Sequence, residues 1–208
     1  FYSDIPLIIN WERNGEEIKS WADGLYDNSG WSRIVKSVDY YFRAGLTYPR
    51  RLNKLSVQPL PYGSIINVRG SGIYANNISE LKILTGLLSS SVFDYLVKIM
   101  LGRFGFPQYD NGTICRTPIP LFSTLLESPL EGVSLKCIEI QQKKDIVNEL
   151  SHIFQIPSIL KISLNNIFES FERIYEEFDN FNKEMAYYQN EIDNLLFKLY
   201  GINPHEQA

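Results

Sequence analysis

The chain has 208 residues, 44% of them hydrophobic and 13% aromatic, enough to bury a core in one large domain or in one domain plus an appendage. The formal net charge of −4 excludes a uniformly basic nucleic-acid coat, and no apolar run approaches the roughly 20 residues that span a bilayer. Cys115 and Cys137 make no disulfide framework, which suits a reducing cytoplasm.

The total charge conceals a division along the chain. Residues 1–30 carry two basic and six acidic side chains, residues 31–116 eleven and four, and residues 117–208 seven and fourteen. A basic functional face on an acidic support is the expectation. The chain also opens at Phe1 in mid-pattern with no basic-then-apolar leader, so it reads as a piece of a longer protein.

In chain order, residues 5–11 (IPLIINW) read as a short buried strand. Asn14-Gly15 punctuates, and Glu16 to Tyr26 reads as a helix with Ile18, Trp21, Ala22 and Leu25 on one face. Asp27 to Gly30 is a turn cluster, and Trp31 to Val38 has no clear assignment.

Tyr40 to Arg51 (YYFRAGLTYPRR) packs four aromatics and three arginines into twelve residues. Guanidiniums grip phosphates or guanine edges while rings stack, so this composition points to nucleic acid. It also fits an amphipathic strand and turn whose arginines lie over exposed rings. Ser64 to Val68 reads as a strand between Pro/Gly-rich turns, and Gly70-Ser71-Gly72 as a flexible corner or, less simply, a phosphate-approaching loop. Asn77 to Leu101 predicts one strong helix, capped by Asn77 or Ser79 and ended by Gly102. Asp110-Asn111-Gly112 predicts a turn leading into a strand over Thr113 to Arg116, and Pro118 and Pro120 close the basic part.

Ser134 to Phe154 predicts a helix, and Pro157 permits a fresh start. From Leu164 the apolar seam Ile167, Phe171, Ile174, Phe178, Phe181, Met185, Tyr188, Ile192, Leu195, Leu199 keeps a three-four spacing over five heptads. That spacing marks a long helix lying along another helix, either 134–154 or one outside the chain. Gly201 closes it. The predicted fold class is therefore α+β: a small mixed or antiparallel sheet with a packed helix over residues 1–120, then a long-helix hairpin or coiled-coil-like spacer over 121–208.

No catalytic constellation is present in the sequence. His152 and His205 lack metal-ligand spacing, Glu169, Glu176 and Glu177 are acidic helix residues, and phosphate-loop, GxSxG, HExxH and Asn-Pro-Pro-Tyr motifs are missing. No catalytic residue, metal ligand or cofactor is assigned within the chain.

The segments YYFRAGLTYPRR, VQPLPYGSIINVRGSGIY, LTGLLSSSVFDYLVKIM and NGTICRTPIP, with the closing IDNLLFKLYGI, occur in an order that resembles the C-terminal specificity region of large single-chain adenine-N6 DNA methyltransferases of bacterial defence. These are the type IIG/IIL restriction–modification enzymes and BREX-type methyltransferases. The resemblance covers roughly residues 8–120 and the last dozen. It implies a target-recognition domain followed by a helical spacer, with S-adenosylmethionine and the catalytic motif in an N-terminal methyltransferase domain of the same parent chain. Such enzymes flip the target adenine, while the recognition domain reads flanking bases of double-stranded DNA. The expected DNA contacts are Arg50, Arg51 and Arg69 on base edges and Arg43, Lys54, Arg103 and Arg116 on phosphates. Gln108 and Asn67 would pair adenine through their amides. The competing expectation is a helical protein–protein interaction module with an incidental basic face. Single-stranded nucleic-acid binding is a third, weakened by the lack of a five-strand barrel pattern.

Overall fold

A computed structural model describes residues 7–25, 30–67, 69–151, 153–161 and 166–203. The fold is mixed α+β. Its sheet has three strands, β1 (Gly45–Pro49), β2 (Gln58–Leu60) and β3 (Gly70–Ile73), in the order β2-β1-β3 and antiparallel throughout. Leu46 faces Pro59 on one side and Ile73 on the other, while Tyr48 faces Ser71. The two-residue alternation sends Leu46 and Tyr48 into the core.

Helix α1 (Glu12–Gly24) contains a left-handed stretch at Arg13, Asn14 and Gly15, where the expected punctuation falls. Ala22 of this helix joins Val35 and Tyr41 in a small satellite core, with Trp11, Trp31 and Phe42 packed around it. Trp21 and Leu25, expected on the buried face, are exposed. The strand expected over residues 5–11 is not formed by the described part of that run. Leu7, Ile8 and Ile9 are exposed and belong to no strand, so the run lacks the neighbour a strand requires.

The helix expected over Asn77 to Leu101 is two helices, α2 (Ile78–Ser89) and α3 (Ser91–Leu101), bent by 65°. The reason is the serine run. Ser90 leaves helical geometry, donates its hydroxyl to the Leu87 carbonyl and accepts the Phe93 N–H at 3.2 Å. It thus ends one helix and caps the next. Asn77 caps α2 by accepting the Glu80 N–H at 2.9 Å. Gly102, at φ 63°, ends α3 as expected.

Two strand expectations are corrected. Residues 64–67 are irregular, Val68 lies outside the described residues, and the Gly70-Ser71-Gly72 run is itself strand β3 rather than a corner or phosphate loop. Thr113 to Arg116 belongs to α4 (Asn111–Arg116). Asp110 captures both the N–H of Thr113 at 2.9 Å and its hydroxyl at 2.7 Å, which starts a helix where β-branched residues favoured a strand.

After α5 (Phe122–Glu127) come α6 (Leu130–Asp145), the short α7 (Ser158–Lys161) and α8 (Ile167–Leu199). The helix expected over Ser134 to Phe154 therefore starts four residues earlier and stops at Asp145, and the expected seam residue Leu164 lies outside the described residues. Helices α6 and α8 form an antiparallel hairpin. Lys144, in the last turn of α6, donates to Asn182 at 3.0 Å, and Cys137 and Ile192 both enter the shared core. Gly86 of α2 sits where a Cβ would strike the Ser134 hydroxyl and lie 2.8 Å from Leu130, so glycine permits the close α2–α6 crossing.

One hydrophobic cluster joins the sheet to the hairpin. It runs from Leu46, Tyr48, Leu55 and Val57 through Leu87, Phe93, Val97 and Tyr109 to Leu125, Leu130, Cys137, Ile192 and Leu196. The residues on either side of position 120 thus share one interior. Burial pushes the Cys137 thiol up to about 11, leaving it an unreactive apolar filler. No single helix among the described residues is long and apolar enough to cross a membrane.

Candidate nucleic-acid interface

The site grows from the end of the central strand. Beyond Pro49 the backbone stays extended between two flanking segments: Arg50 donates its N–H to the Arg69 carbonyl at 3.1 Å and accepts that of Tyr109 at 2.9 Å. Arg51 then pairs with Gln108 in a single antiparallel bridge, and its guanidinium donates to the Gln108 side-chain oxygen at 3.1 Å. Five of the residues selected from sequence, Arg50, Arg51, Asn67, Arg69 and Gln108, are gathered here from three separate stretches.

A buried carboxylate anchors the frame. Asp94 of α3 accepts the Leu55 N–H at 2.7 Å and the Tyr109 hydroxyl at 2.8 Å, and Lys98 lies 2.6 Å from its other oxygen. The arginine-bearing segment 50–55 is therefore tied to α3 at its far end and, through Tyr109, at its near end. Burial is the main reason the Tyr109 phenol is held far above its ordinary range, and the bond to Asp94 adds to the effect. It stays a donor at any physiological pH.

Against this frame lies a cleft of about 520 Å³, lined among others by Lys36, Tyr40, Arg50, Asn67, Tyr74 and Asn111. Tyr40 and Tyr74 pack at 5.1 Å between ring centroids, tilted by 32°, and the Arg43 guanidinium lies 5.3 Å from the centre of the Tyr40 ring. Tyr74 folds back over β3 because Gly72 has no side chain; a Cβ there would sit 2.7 Å from the ring. Its hydroxyl is buried without a hydrogen-bond partner among the described residues, and burial raises its pKa against the opposing pull of Arg43.

The amides of the cleft are oriented by bonds to the protein. The Asn67 side-chain oxygen accepts the N–H groups of Arg69 at 2.7 Å and Gly70 at 3.0 Å. The Asn111 oxygen accepts the Tyr48 hydroxyl at 2.6 Å. Both NH₂ groups are left without a protein acceptor among the described residues. Asp110 is the lining carboxylate. The two bonds from Thr113, and secondarily the nearby Arg116 charge, hold its carboxyl below the usual range.

The remaining predicted residues take other places. Arg116 on α4 donates its Nε to the Gly112 carbonyl at 3.0 Å. Arg103, just beyond α3, donates to the Gly105 carbonyl at 2.9 Å. Lys54 lines a separate hollow with Leu52, Ser89 and Gln189, on the side toward α8. All seven predicted basic residues are exposed. Among the described residues the ion pairs lie elsewhere: Arg13–Glu16, Lys82–Glu131, Lys98–Asp94, Lys136–Glu139 and Lys183–Asp179.

The sequence reading missed Lys36, Tyr74 and Asn111. Lys36 lies in the stretch that had no assignment, and Asn111 was absorbed into a presumed turn. Tyr74 joins the site only through its contact with Tyr40, thirty-four residues away, which no local pattern encodes. Among the described residues no group of three or more His, Cys, Asp or Glu side chains is placed to hold a metal ion. His152 and His205 both lie outside the described residues. A scan against protein-family models finds no match to this chain, and neither does a search of curated proteins.

Proposed function

We propose that this chain is the double-stranded-DNA recognition module of a bacterial adenine-specific DNA methyltransferase of a restriction–modification or phage-defence system. On this reading it acts in the cytoplasm and directs an N-terminal catalytic domain of the parent chain, which binds S-adenosylmethionine. The observation that carries the reading is the exposed cluster of Arg50, Arg51 and Arg69 around the end of β1, free of carboxylate partners among the described residues and beside the Tyr40–Tyr74 cleft. Clustered, uncompensated guanidiniums on a rigid frame fit phosphates and base edges. The ordered sequence segments that resemble methyltransferase specificity regions supply the rest of the proposal.

The test is methylation-site mapping by long-read sequencing in cells carrying the parent gene, with this segment either native or exchanged for that of a relative. The modified motif is expected to change with the exchange. An unchanged motif with activity retained places recognition elsewhere and overturns the reading.

A second reading has its own observation. The first turns of α8 expose Ile167, Phe168, Phe171 and Tyr175, beyond the part that lies against α6. These residues favour a helical protein–protein interaction module. Sedimentation of the native chain against a Phe168→Glu/Phe171→Glu variant tests it; association that the variant abolishes, with no duplex binding at low salt, would replace the first reading.

A further inference from the structure

We infer that the cleft at the end of β1 selects a guanine, not an adenine, in the recognised duplex; the inference rests on the DNA-reading function proposed above. It follows from which atoms the protein has already used. Asn67 spends both lone pairs of its side-chain oxygen on the Arg69 and Gly70 amides, at 2.7 and 3.0 Å. Asn111 turns its oxygen to the Tyr48 hydroxyl at 2.6 Å. With Lys36 and Arg50, which only donate, the cleft-lining Asn67 and Asn111 present N–H groups.

Base edges differ in what they ask for. In the major groove adenine offers the N7 acceptor beside the N6 donor, and an amide reads it only by donating and accepting together. Asn67, with both lone pairs of its oxygen bonded, has spent the accepting half of that pair. Cytosine offers the N4 donor, which Lys36, Arg50 and the Asn67 and Asn111 NH₂ groups cannot accept. Guanine offers N7 and O6, both acceptors, and is the base whose whole major-groove edge a donor set matches. The lining carboxylate, Asp110, keeps lone pairs beyond its two bonds to Thr113, and an acceptor suits the N4 group of the cytosine paired to that guanine. On this inference Asn67 donates toward guanine, where pairing with adenine was the expectation from sequence.

Two substitutions reverse the hydrogen-bond sense with little change of shape. In Asn67→Asp one carboxylate oxygen still accepts the Arg69 and Gly70 amides, and in Asn111→Asp one still accepts the Tyr48 hydroxyl. Each presents an acceptor where an NH₂ stood, and circular dichroism checks that the fold is kept.

The experiment selects duplexes from a randomised pool with the full 208-residue chain at about 50 mM salt. The native chain is expected to enrich a position for guanine, and replacing that base by 7-deazaguanine should weaken binding roughly 5- to 150-fold. Asn67→Asp or Asn111→Asp should abolish the guanine preference and raise cytosine or adenine there. A motif without guanine, or one that both variants leave unchanged, overturns the inference and leaves the DNA-reading function standing. Equal binding of all sequences, weakened alike by Arg50→Ala, assigns the donors to phosphates and also overturns it. No binding to any duplex at low salt overturns the recognition reading itself.

Discussion

On the sheet rim Arg50, Arg51 and Arg69 stand exposed with no carboxylate paired to them among the described residues, whereas along the α6–α8 hairpin Lys136 lies 3.0 Å from Glu139 and Lys183 2.6 Å from Asp179. The hairpin settles its charges locally, in neighbouring turns of one helix, as a solvated face does. The rim leaves like charges together and aims its amide donors into a cleft. Mutual repulsion in the rim is offset by the frame that holds it, so its charge is available to an anionic partner. The two regions nevertheless share one core.

The hardest test of that contrast removes the frame. Asp94→Ala leaves the buried Leu55 N–H and the Tyr109 hydroxyl without an acceptor and strips Lys98 of its counter-charge, and should cost about 3–5 kcal/mol in urea unfolding. Because the core is continuous, the loss should appear in one cooperative transition; two separated transitions would mean that rim and hairpin unfold independently. Next, Arg50→Ala should weaken duplex binding by about 1–3 kcal/mol with relaxed specificity and unchanged stability. An equal loss from Lys54→Ala, which lies in a different hollow, would spread the interface well beyond the rim.

A smaller effect attaches to the cap of α4. Asp110→Ala should cost about 1 kcal/mol, through the lost bonds to Thr113. The sign follows from the depressed pKa: the contribution is fully present above the ordinary carboxylate range and is lost as pH falls through the lower folded-state value. The gap between native chain and variant should therefore close in acid, as stability measured across pH 7 to 2 would reveal. Least of all, Lys183→Ala on the hairpin should leave thermal unfolding unchanged, since a solvent-screened pair within one helix adds little. A measurable loss would show that the hairpin's charges are not merely a solvated face.

Much of this arrangement is legible from residues alone, and the failures have a common cause. The three-four seam from Ile167 to Leu199 predicts α8 and its helical partner because periodicity is a local property. Asn77 and Gly102 mark true helix ends for the same reason. The break at Ser90 is invisible to periodicity, since the apolar positions continue through it and only the serine hydroxyl's choice of partners interrupts the helix. Thr113 misleads because intrinsic strand preference is weaker than the cap supplied by Asp110. At the site, Arg50, Arg51 and Arg69 are visible in composition, but the direction in which Asn67 and Asn111 face is not. For Asn67 that direction is set by the amides two and three residues on, in a turn that the expected strand over Ser64 to Val68 concealed, and for Asn111 by Tyr48, sixty-three residues away.

The junction at Ser90 also sets an order of events. The N–H of Ser91, at the first turn of α3, finds its acceptor in Asp193 at 2.8 Å, and Gln189 reaches back to the Ser89 carbonyl. Both partners lie about a hundred residues downstream, near the end of the last helix. During synthesis the sheet and its arginines emerge long before the side chains that complete the helix they rest on. Closing so long a loop is slow relative to forming α8 itself. The junction between α2 and α3 is therefore completed only when α8 has docked.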